Sequence, residues 1–375
     1  VLRPQLAFTD IIDNSSNSTF KATTKLKEKH NAIIPLEKTT TAHPYEYEIN
    51  NIEYPAKVLT FRPEIMYGSL EETPFHFVDT PKQFEEMLSI LEGVDEIAID
   101  LEHHDYRTFQ GFTCLIQLST RKEDYIIDAL VLRAHIPQLN KVLSNPKIVK
   151  LFHGAEMDMV WLQRDFGCYV VGLFDTYHAS KVLELEAHGL AFLLKYYCGV
   201  ETNKKYQLAD WRVRPIPKEM MKYARIDTHY LLYIYDRMRN DILEKDLDTK
   251  QPLRVVLERS ARTSLNLYQK EVYDAEEGEG PNGWASHLRK SALALTPLQL
   301  AVYKALHAWR DRTARIEDES VRYVTPSPML VSIASEMPTD MKSLTACCHP
   351  MMPNLLKVYA QDVLLLIEKT RVSEL

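Results

Sequence analysis

The stretch IAIDLE at positions 97–102 decides the fold, because it joins the pattern of a buried β-strand to two acids. Successive side chains of a strand point to opposite faces, so the isoleucines and the leucine share one face while Asp100 and Glu102 share the other. The two carboxylates then lie about 6 to 7 Å apart, and burying like charges together is costly unless cations or protons compensate them. Taken alone, the pair indicates either a metal site or a strand end that emerges into water.

A further acid, Asp158, lies where an apolar side chain is expected. The stretch HGAEMD follows a strand predicted over 148–152 and opens a helix. Asp158 shares a helical stripe with Ala155 and Leu162, so it interrupts an apolar face. A solvated aspartate would occupy the opposite side of the helix. This placement therefore favours a functional role over a helix cap.

Another acid, Asp227, lies on a long helix that is predicted to open at Pro217, where the missing N–H of proline costs nothing. Ala224 and Leu231 flank it at spacings of three and four, so an aspartate again replaces an apolar residue. Tyr223 precedes Asp227 by one turn, which places a phenol beside the carboxylate on the same face. The tyrosine fits either plain core or a group that shares a water molecule with the carboxylate.

Three separated segments thus present carboxylates where periodicity asks for apolar side chains, and this coincidence predicts one shared site. Hard cations such as Mg²⁺ prefer oxygen ligands, and a two-metal site holds its ions about 3.5 to 4 Å apart around a phosphodiester. We therefore expect two divalent cations, Mg²⁺ before Mn²⁺ or Zn²⁺.

The order D-x-E, H-G-x-x-x-D and Y-x-x-x-D, on strand, helix and helix, resembles the tyrosine-bearing branch of the DEDD exonuclease superfamily, which includes ribonuclease D. The stretches DLEHHDYR at 100–107 and KYQLADWR at 205–212 are more similar still to the DEDD-Y exoribonuclease family of the nuclear exosome. This resemblance covers about residues 43–241. Downstream, AWRD at 308–311 and RIEDES at 315–320 resemble the HRDC domain that accompanies this nuclease.

The resemblance implies a role for each matching residue. The positions that would hold the metal ions are Asp100, Glu102, Asp158 and Asp227. Tyr223 would orient the attacking water. The positions that would contact the terminal nucleotide are His103, Trp161 and Lys204. Trp161 would stack on a base and Lys204 would meet a phosphate, although a core ring and a solvated amine are the respective alternatives.

Helix and strand patterns alternate around these segments, with a helix at 81–91 and strands at 97–101, 115–118, 125–127 and 148–152. They predict an α/β fold, and the resemblance implies a ribonuclease H-like DEDD exonuclease domain with a mixed sheet plus a small all-helical HRDC domain. The acidic, glycine-rich stretch at 274–283 is the clearest linker. The predicted segments are a flexible lead-in and extended arm (1–74), the exonuclease domain (75–245), a helix and linker (246–290) and the HRDC domain (291–375).

Composition narrows the function classes. A formal charge of −7 over 375 residues argues against a protein that coats nucleic acid through a broad basic surface, although a narrow site remains compatible with it. Apolar runs fall far short of the roughly 20 residues of a membrane span. The five cysteines form no C-x-x-C pair, and Cys347 and Cys348 fit a core better than a zinc site, because adjacent cysteines do not easily share one ion. A first residue of Val1 predicts a fragment of a longer protein, so targeting signals cannot be judged.

The resemblance implies a hydrolase that trims RNA from the 3′ end to nucleoside 5′-monophosphates. Its expected place is the nucleus and nucleolus, where the exosome core and its cofactors would be its partners in ribosomal and small RNA processing and RNA surveillance. Single-stranded RNA 3′ ends would be its substrates. A DNA 3′–5′ exonuclease is one alternative, because only contacts to the 2′-hydroxyl distinguish the sugars. An inactive RNA-binding scaffold subunit is the other, and the complete acidic set argues against it.

Overall fold

The computed structural model describes residues 3–291 and 294–374, which form two compact units. The first unit comprises the chain up to Ile11 together with Phe20–His103 and Phe112–Tyr268. The second comprises Ile12–Thr19, His104–Gly111 and the chain from Gln269 onward.

A six-stranded mixed sheet lies at the centre of the first unit. Its strands are β1 (Phe75–Val78), β2 (Glu96–His104), β3 (Phe112–Ser119), β4 (Asp124–Asp128), β5 (Val149–Phe152) and β6 (Leu173–Asp175). They lie in the order β1-β4-β3-β2-β5-β6. The pairs β1–β4, β2–β5 and β5–β6 are parallel, and β3–β4 is antiparallel. The predicted α/β fold is confirmed, and its four predicted strands are β2 to β5.

The helices of this unit are α1 (Glu46–Asn50), α2 (Ala56–Leu59), α3 (Pro81–Leu91), α4 (Asn140–Leu143), α5 (Glu156–Phe166), α6 (Thr176–Val182), α7 (Leu190–Cys198), α8 (Lys218–His229), α9 (Leu231–Lys245) and α10 (Gln251–Ser264). They bury the sheet on both faces. Ile97, Ile99 and Leu101 of β2 join the core that contains α3 and α5, whereas Ala98 joins the core that contains α6, α7 and α9. Asp100 and Glu102 therefore share the face of Ala98, as the alternation predicts.

Two helix starts show where the sequence prediction succeeds and where it needs correction. α3 begins as predicted, because Thr80 accepts a hydrogen bond from the Gln83 N–H and the Gln83 side chain accepts one from the Thr80 N–H. Pro217 is the N-cap residue of α8 rather than its first helical residue, and the predicted long helix is divided at Tyr230 into α8 and α9.

The N-terminal segment packs on the first unit, which differs from the flexible lead-in that its composition predicts. Ala22 is buried and Tyr45 is fully buried. Lys29 forms an ion pair with Glu48 at 2.6 Å, and both side chains are almost completely inaccessible to solvent. This buried ion pair ties the predicted lead-in to α1.

The second unit is helical, as predicted. Its helices are α11 (Trp284–Lys290), α12 (Pro297–Glu317), α13 (Val321–Val324), α14 (Ser327–Glu336), α15 (Met341–Ala346), α16 (Asn354–Val358) and α17 (Ala360–Ser373). Cys347 and Cys348 lie in its core, where each thiol donates at 3.3 Å to a backbone carbonyl of the preceding turn. Of the helices in the described ranges, none is both long enough and apolar enough to cross a membrane.

Candidate active site

Strand β2 carries the first two acids past the end of its partner. Its registered pairing with β5 ends at Ala98 opposite Leu151, so Asp100 and Glu102 lie beyond that pair, toward the start of α5. Glu102 is buried, and Gln117 of β3 donates to its Oε1 at 3.0 Å. The strand thus presents two carboxylates at the edge where a helix begins.

Helix α8 brings the third acid to the same place. One carboxylate oxygen from each of Asp100, Glu102 and Asp227 can be chosen so that all three lie within 4.8 Å of one another. Asp227 is only 8% exposed. Residues that lie far apart in the sequence therefore form one compact group of oxygen ligands, the kind that hard divalent cations prefer.

A neighbouring buried acid, Asp124, fixes the position of α8. Arg225 donates to its carboxylate at 2.8 Å. His229 donates from Nδ1 to Asp124 at 2.8 Å and from Nε2 to the Gly68 carbonyl at 2.7 Å, because both partners only accept. Burial opposes ionisation of Asp124, but hydrogen bonds from His229, Ser119 and Arg225 lower its pKa. Sequence reasoning missed this residue, which braces the helix on both sides of Asp227.

The fourth acid, Asp158, lies in the first turn of α5 and is 6% exposed. It is outside the group of three oxygens within 4.8 Å, but its charge acts on Glu102, and the charge of Asp100 acts on it. Asp175, which the sequence analysis also missed, holds the start of this helix: its carboxylate accepts from the N–H groups of Gly154 and Ala155 at 2.8 and 2.9 Å. Asp175 is carried by strand β6, which is not among the strands that the sequence predicts.

Desolvation and mutual repulsion disfavour ionisation of all four acids. Burial raises the pKa of Asp100 to about 6. It raises the pKa of Glu102, Asp158 and Asp227 well above their ordinary values, and the charge of Asp100 adds to each of these shifts. Asp227 also hydrogen-bonds to Asp100, which lowers the pKa of Asp100 and raises that of Asp227.

These four acids fit divalent cations. Among the described residues, no lysine or arginine contributes to their pKa values, so the protein itself does not compensate the charge that they would carry when ionised. Buried carboxylates without such a partner need either protons or metal ions. The DEDD exonuclease fold implies divalent metal ions, and this acidic cluster is where the chain would bind them.

Tyr223 lies one helical turn before Asp227 and is half-buried. Burial raises its pKa, and the charges of Asp227, Glu102 and Asp100 raise it further, so the phenol stays protonated. Gln207 hydrogen-bonds to it, and the rings of Tyr206 and Trp211 lie 5.6 and 6.1 Å from its ring. The KYQLADWR stretch, quoted above only for its resemblance, thus forms the surroundings of this tyrosine.

Of the three residues predicted to contact a nucleotide, two stack on each other and the third is exposed on a separate segment. His103 stacks on Trp161 with ring centroids 4.1 Å apart and an interplanar angle of 4°. Arg164 donates to His103 Nε2 at 2.9 Å, because a guanidinium has no acceptor. His103 therefore covers one face of Trp161. Lys204 is exposed at the start of a short 3₁₀ helix, Lys204–Leu208.

Comparison with known proteins identifies relatives for both units. The 3′–5′ exonuclease family matches residues 75–243, and the HRDC domain family matches residues 299–367. Exosome complex component 10 of Rattus norvegicus is 43% identical over 99% of this chain, and exosome complex exonuclease RRP6 of Saccharomyces cerevisiae is 44% identical over 91%. The alignments cover 45% and 48% of these relatives, so the chain spans about half their length. The crystal structure of the catalytic core of RRP6 from Trypanosoma brucei matches over 100% of both chains, with a TM-score of 0.89 and 37% identity.

Proposed function

The chain belongs to the RRP6 family of 3′–5′ exonucleases, and from this premise we propose that it is a hydrolase that trims RNA from its 3′ end to nucleoside 5′-monophosphates. The observation that carries the proposal is the meeting of Asp100, Glu102 and Asp227 within 4.8 Å, with Asp158 close enough to interact. A group of carboxylates whose charges the protein does not compensate suits metal-assisted chemistry on a phosphodiester, in which bound cations stabilise the attacking and leaving oxygens.

We assign the holding of two divalent cations, Mg²⁺ in preference to Mn²⁺ or Zn²⁺, to Asp100, Glu102, Asp158 and Asp227. When bound, such a pair of cations stabilises the charge that develops on the attacking and leaving oxygens. The protonated Tyr223 hydroxyl orients the attacking water. The oxygen of that water bonds to the last phosphorus as the bond from phosphorus to the 3′ oxygen breaks. The proton that the water gives up is balanced by the proton that the leaving 3′ oxygen takes up, so the products are a nucleoside 5′-monophosphate and a shortened RNA with a free 3′ hydroxyl.

The stacked pair of His103 and Trp161 presents a flat surface to the terminal nucleotide, and Lys204 supplies a cation for a phosphate. These roles follow from the resemblance and from the placement of the side chains. Because His103 already lies against Trp161, a base that binds here adds to a stack rather than starting one.

The test is digestion of a 5′-labelled single-stranded RNA in the presence of Mg²⁺, with products identified by chromatography. We expect stepwise shortening and nucleoside 5′-monophosphates. Asp100→Asn should lower the rate about 10³-fold or more, because it removes a ligand from the site. The matched control is Asp105→Asn, which changes an exposed acid that pairs with Arg322 and should leave the rate unchanged. Equal rates for the parent and Asp100→Asn would refute the mechanism.

A DNA oligonucleotide of the same sequence separates the two nuclease alternatives, and complete inactivity of the parent would favour a scaffold subunit. We further propose association with the exosome and a nuclear and nucleolar location, with roles in ribosomal and small RNA processing and in RNA surveillance. The support is that the relatives are named as exosome components. Co-purification with the exosome core and imaging of the tagged protein test these two points.

A further inference from the structure

An exposed tyrosine of the first unit lies among three histidines. Tyr177, in the first turn of α6, has 37% of its surface exposed. Its ring centroid lies 5.6 Å from that of His178 and 6.2 Å from those of His153 and His188, with interplanar angles of 69°, 78° and 77°. These steep angles are those of edge contacts between the rings, not of parallel stacks.

Hydrogen bonds hold all three imidazoles in place, that of His153 through Nδ1 at 2.8 Å from Thr176 Oγ1. His178 Nε2 lies 2.9 Å from Thr263 Oγ1 of α10, and His188 Nδ1 lies 3.0 Å from Ser180 Oγ of α6. The walls around Tyr177 are thus fixed by the fold. Side chains that are already ordered lose less entropy when a ligand binds.

Positive charge lies beside the tyrosine, although the chain as a whole has a formal charge of −7. The Nζ of Lys181 is 5.7 Å from the centre of the Tyr177 ring, and Lys181 is exposed. Arg259 of α10 is also exposed, and its charge acts on His178 together with the opposite charges of Asp175 and Glu156. We call Tyr177, His178, Lys181 and His188 the Tyr177 platform.

The Tyr177 platform is tied to the acidic cluster through one carboxylate. Asp175 Oδ1 accepts from the Tyr177 N–H at 2.9 Å and from the Gly154 N–H at 2.8 Å. The start of α6 and the start of α5 therefore meet at Asp175, whose charge also acts on Asp158. An exposed aromatic side chain and a lysine thus lie on the element next to the one that carries Asp158.

We propose that the Tyr177 platform binds a nucleotide of single-stranded RNA upstream of the scissile phosphate, with its base on Tyr177 and its phosphate at Lys181. This proposal rests on the proposed function, since it assumes that the RNA 3′ end enters the acidic cluster. Stacking of a base on an aromatic side chain is sequence-tolerant, because every base has a π-face. A subsite of this kind would hold RNA of any sequence between cleavage steps.

The experiment compares two substrates of the intact chain, a single-stranded oligoadenylate and the p-nitrophenyl ester of uridine 5′-monophosphate, which has no upstream nucleotide. Tyr177→Leu removes the π-face but keeps an apolar side chain, and it should raise KM for the oligoadenylate about 10-fold without changing hydrolysis of the ester. Tyr177→Phe should behave like the parent. The matched control is Tyr196→Leu, because Tyr196 is 60% exposed but is already stacked on Phe192.

The proposal is overturned if Tyr177→Leu leaves KM for the oligoadenylate unchanged, or if it slows both substrates equally, because the tyrosine would then support the fold of the site. If the parent hydrolyses neither substrate, the proposed function fails and not the platform. In that case, fluorescence anisotropy with labelled oligoadenylate measures RNA binding by the parent and by Tyr177→Leu and so tests the platform. About 10-fold weaker binding by Tyr177→Leu supports the Tyr177 platform as an RNA-binding site, and equal binding refutes it.

Discussion

The acidic cluster and Asp124 both lie near α8, but their surroundings shift the pKa values of their carboxyl groups in opposite directions. Asp124 is 2% exposed and accepts hydrogen bonds from Arg225, His229 and Ser119, the last at 2.7 Å. Asp100 and Asp227 hydrogen-bond to each other instead, and burial raises the pKa of each. The pKa of Asp124 is thus lowered, whereas the pKa values of Asp100 and Asp227 are raised.

The difference shows that burial alone does not identify a functional acid. A buried carboxylate with cationic partners supplied by the protein acts as a brace, because its charge is neutralised within the fold. A buried group of carboxylates without such partners is incomplete until something from solution neutralises it. The predictions that follow test whether this division is correct.

The largest change in stability is expected for the brace. Asp124→Asn leaves Arg225 and His229 without their anion, so the free energy of unfolding should fall by about 3 kcal/mol. Urea unfolding with and without EDTA measures this loss, which should be the same in both conditions. Asp105→Asn, at an exposed ion pair, should change the free energy of unfolding by no more than about 0.5 kcal/mol.

The loss caused by Asp124→Asn also has a predicted pH dependence. The folded-state pKa of Asp124 lies below its ordinary value of 3.8, so its stabilisation is present above that value and is lost as the pH falls through the folded pKa. The difference in stability between the parent and Asp124→Asn should therefore narrow only below about pH 4. A difference that already disappears between pH 7 and 5 would show that Asp124 is not the neutralised brace described here.

Stabilisation by Mg²⁺ should depend on the acidic cluster but not on Asp124. At a free Mg²⁺ concentration 100 times the dissociation constant, binding to the native state stabilises it by about 2.7 kcal/mol. We expect this gain in the parent and most of it in Asp124→Asn, but little in Asp100→Asn. Thermal unfolding across a Mg²⁺ titration measures it. An equal gain in Asp100→Asn would place the cations elsewhere.

The sequence shows the acidic cluster more clearly than it shows its supports. Asp100, Asp158 and Asp227 each break a period that lies within a few residues, so the local pattern reveals them. Asp124 and Asp175 break no such period, and their partners lie far along the chain: Arg225 donates to Asp124 across a separation of 101 residues. A contact of that range is set by tertiary packing, which a single sequence does not display.

The same reasoning explains why the sequence missed strand β6 and predicted a flexible lead-in. Strand β6 has three residues, too few to show a period of two. The N-terminal segment is polar in composition, but its order comes from distant contacts, such as the bond at 3.0 Å from the Tyr169 hydroxyl to the Ala22 carbonyl across 147 residues. Composition predicts flexibility only where no such partner exists.

In EDTA, a substitution in the acidic cluster should stabilise the protein, in contrast to the destabilisation expected for Asp124→Asn. Asp100→Asn removes one of the desolvated, mutually repelling charges, so the free energy of unfolding of the cation-free protein should rise by about 1 to 2 kcal/mol. Addition of Mg²⁺ should reverse the order, because the parent gains binding energy that the variant lacks. If Asp100→Asn destabilised the cation-free protein, the cluster would be a structural network like that of Asp124.

The smallest change in stability is expected at Tyr223, where loss of rate and loss of stability should separate most clearly. Tyr223→Phe keeps the ring beside Trp211 and removes the hydroxyl that Gln207 contacts, so stability should change by no more than about 1 kcal/mol. If the hydroxyl orients the attacking water, the rate should still fall about 10²-fold. Tyr206→Phe removes a hydroxyl from the neighbouring ring and should leave the rate unchanged. If the two variants were equally active, Tyr223 would be one more support of the site, and only the acids would carry its chemistry.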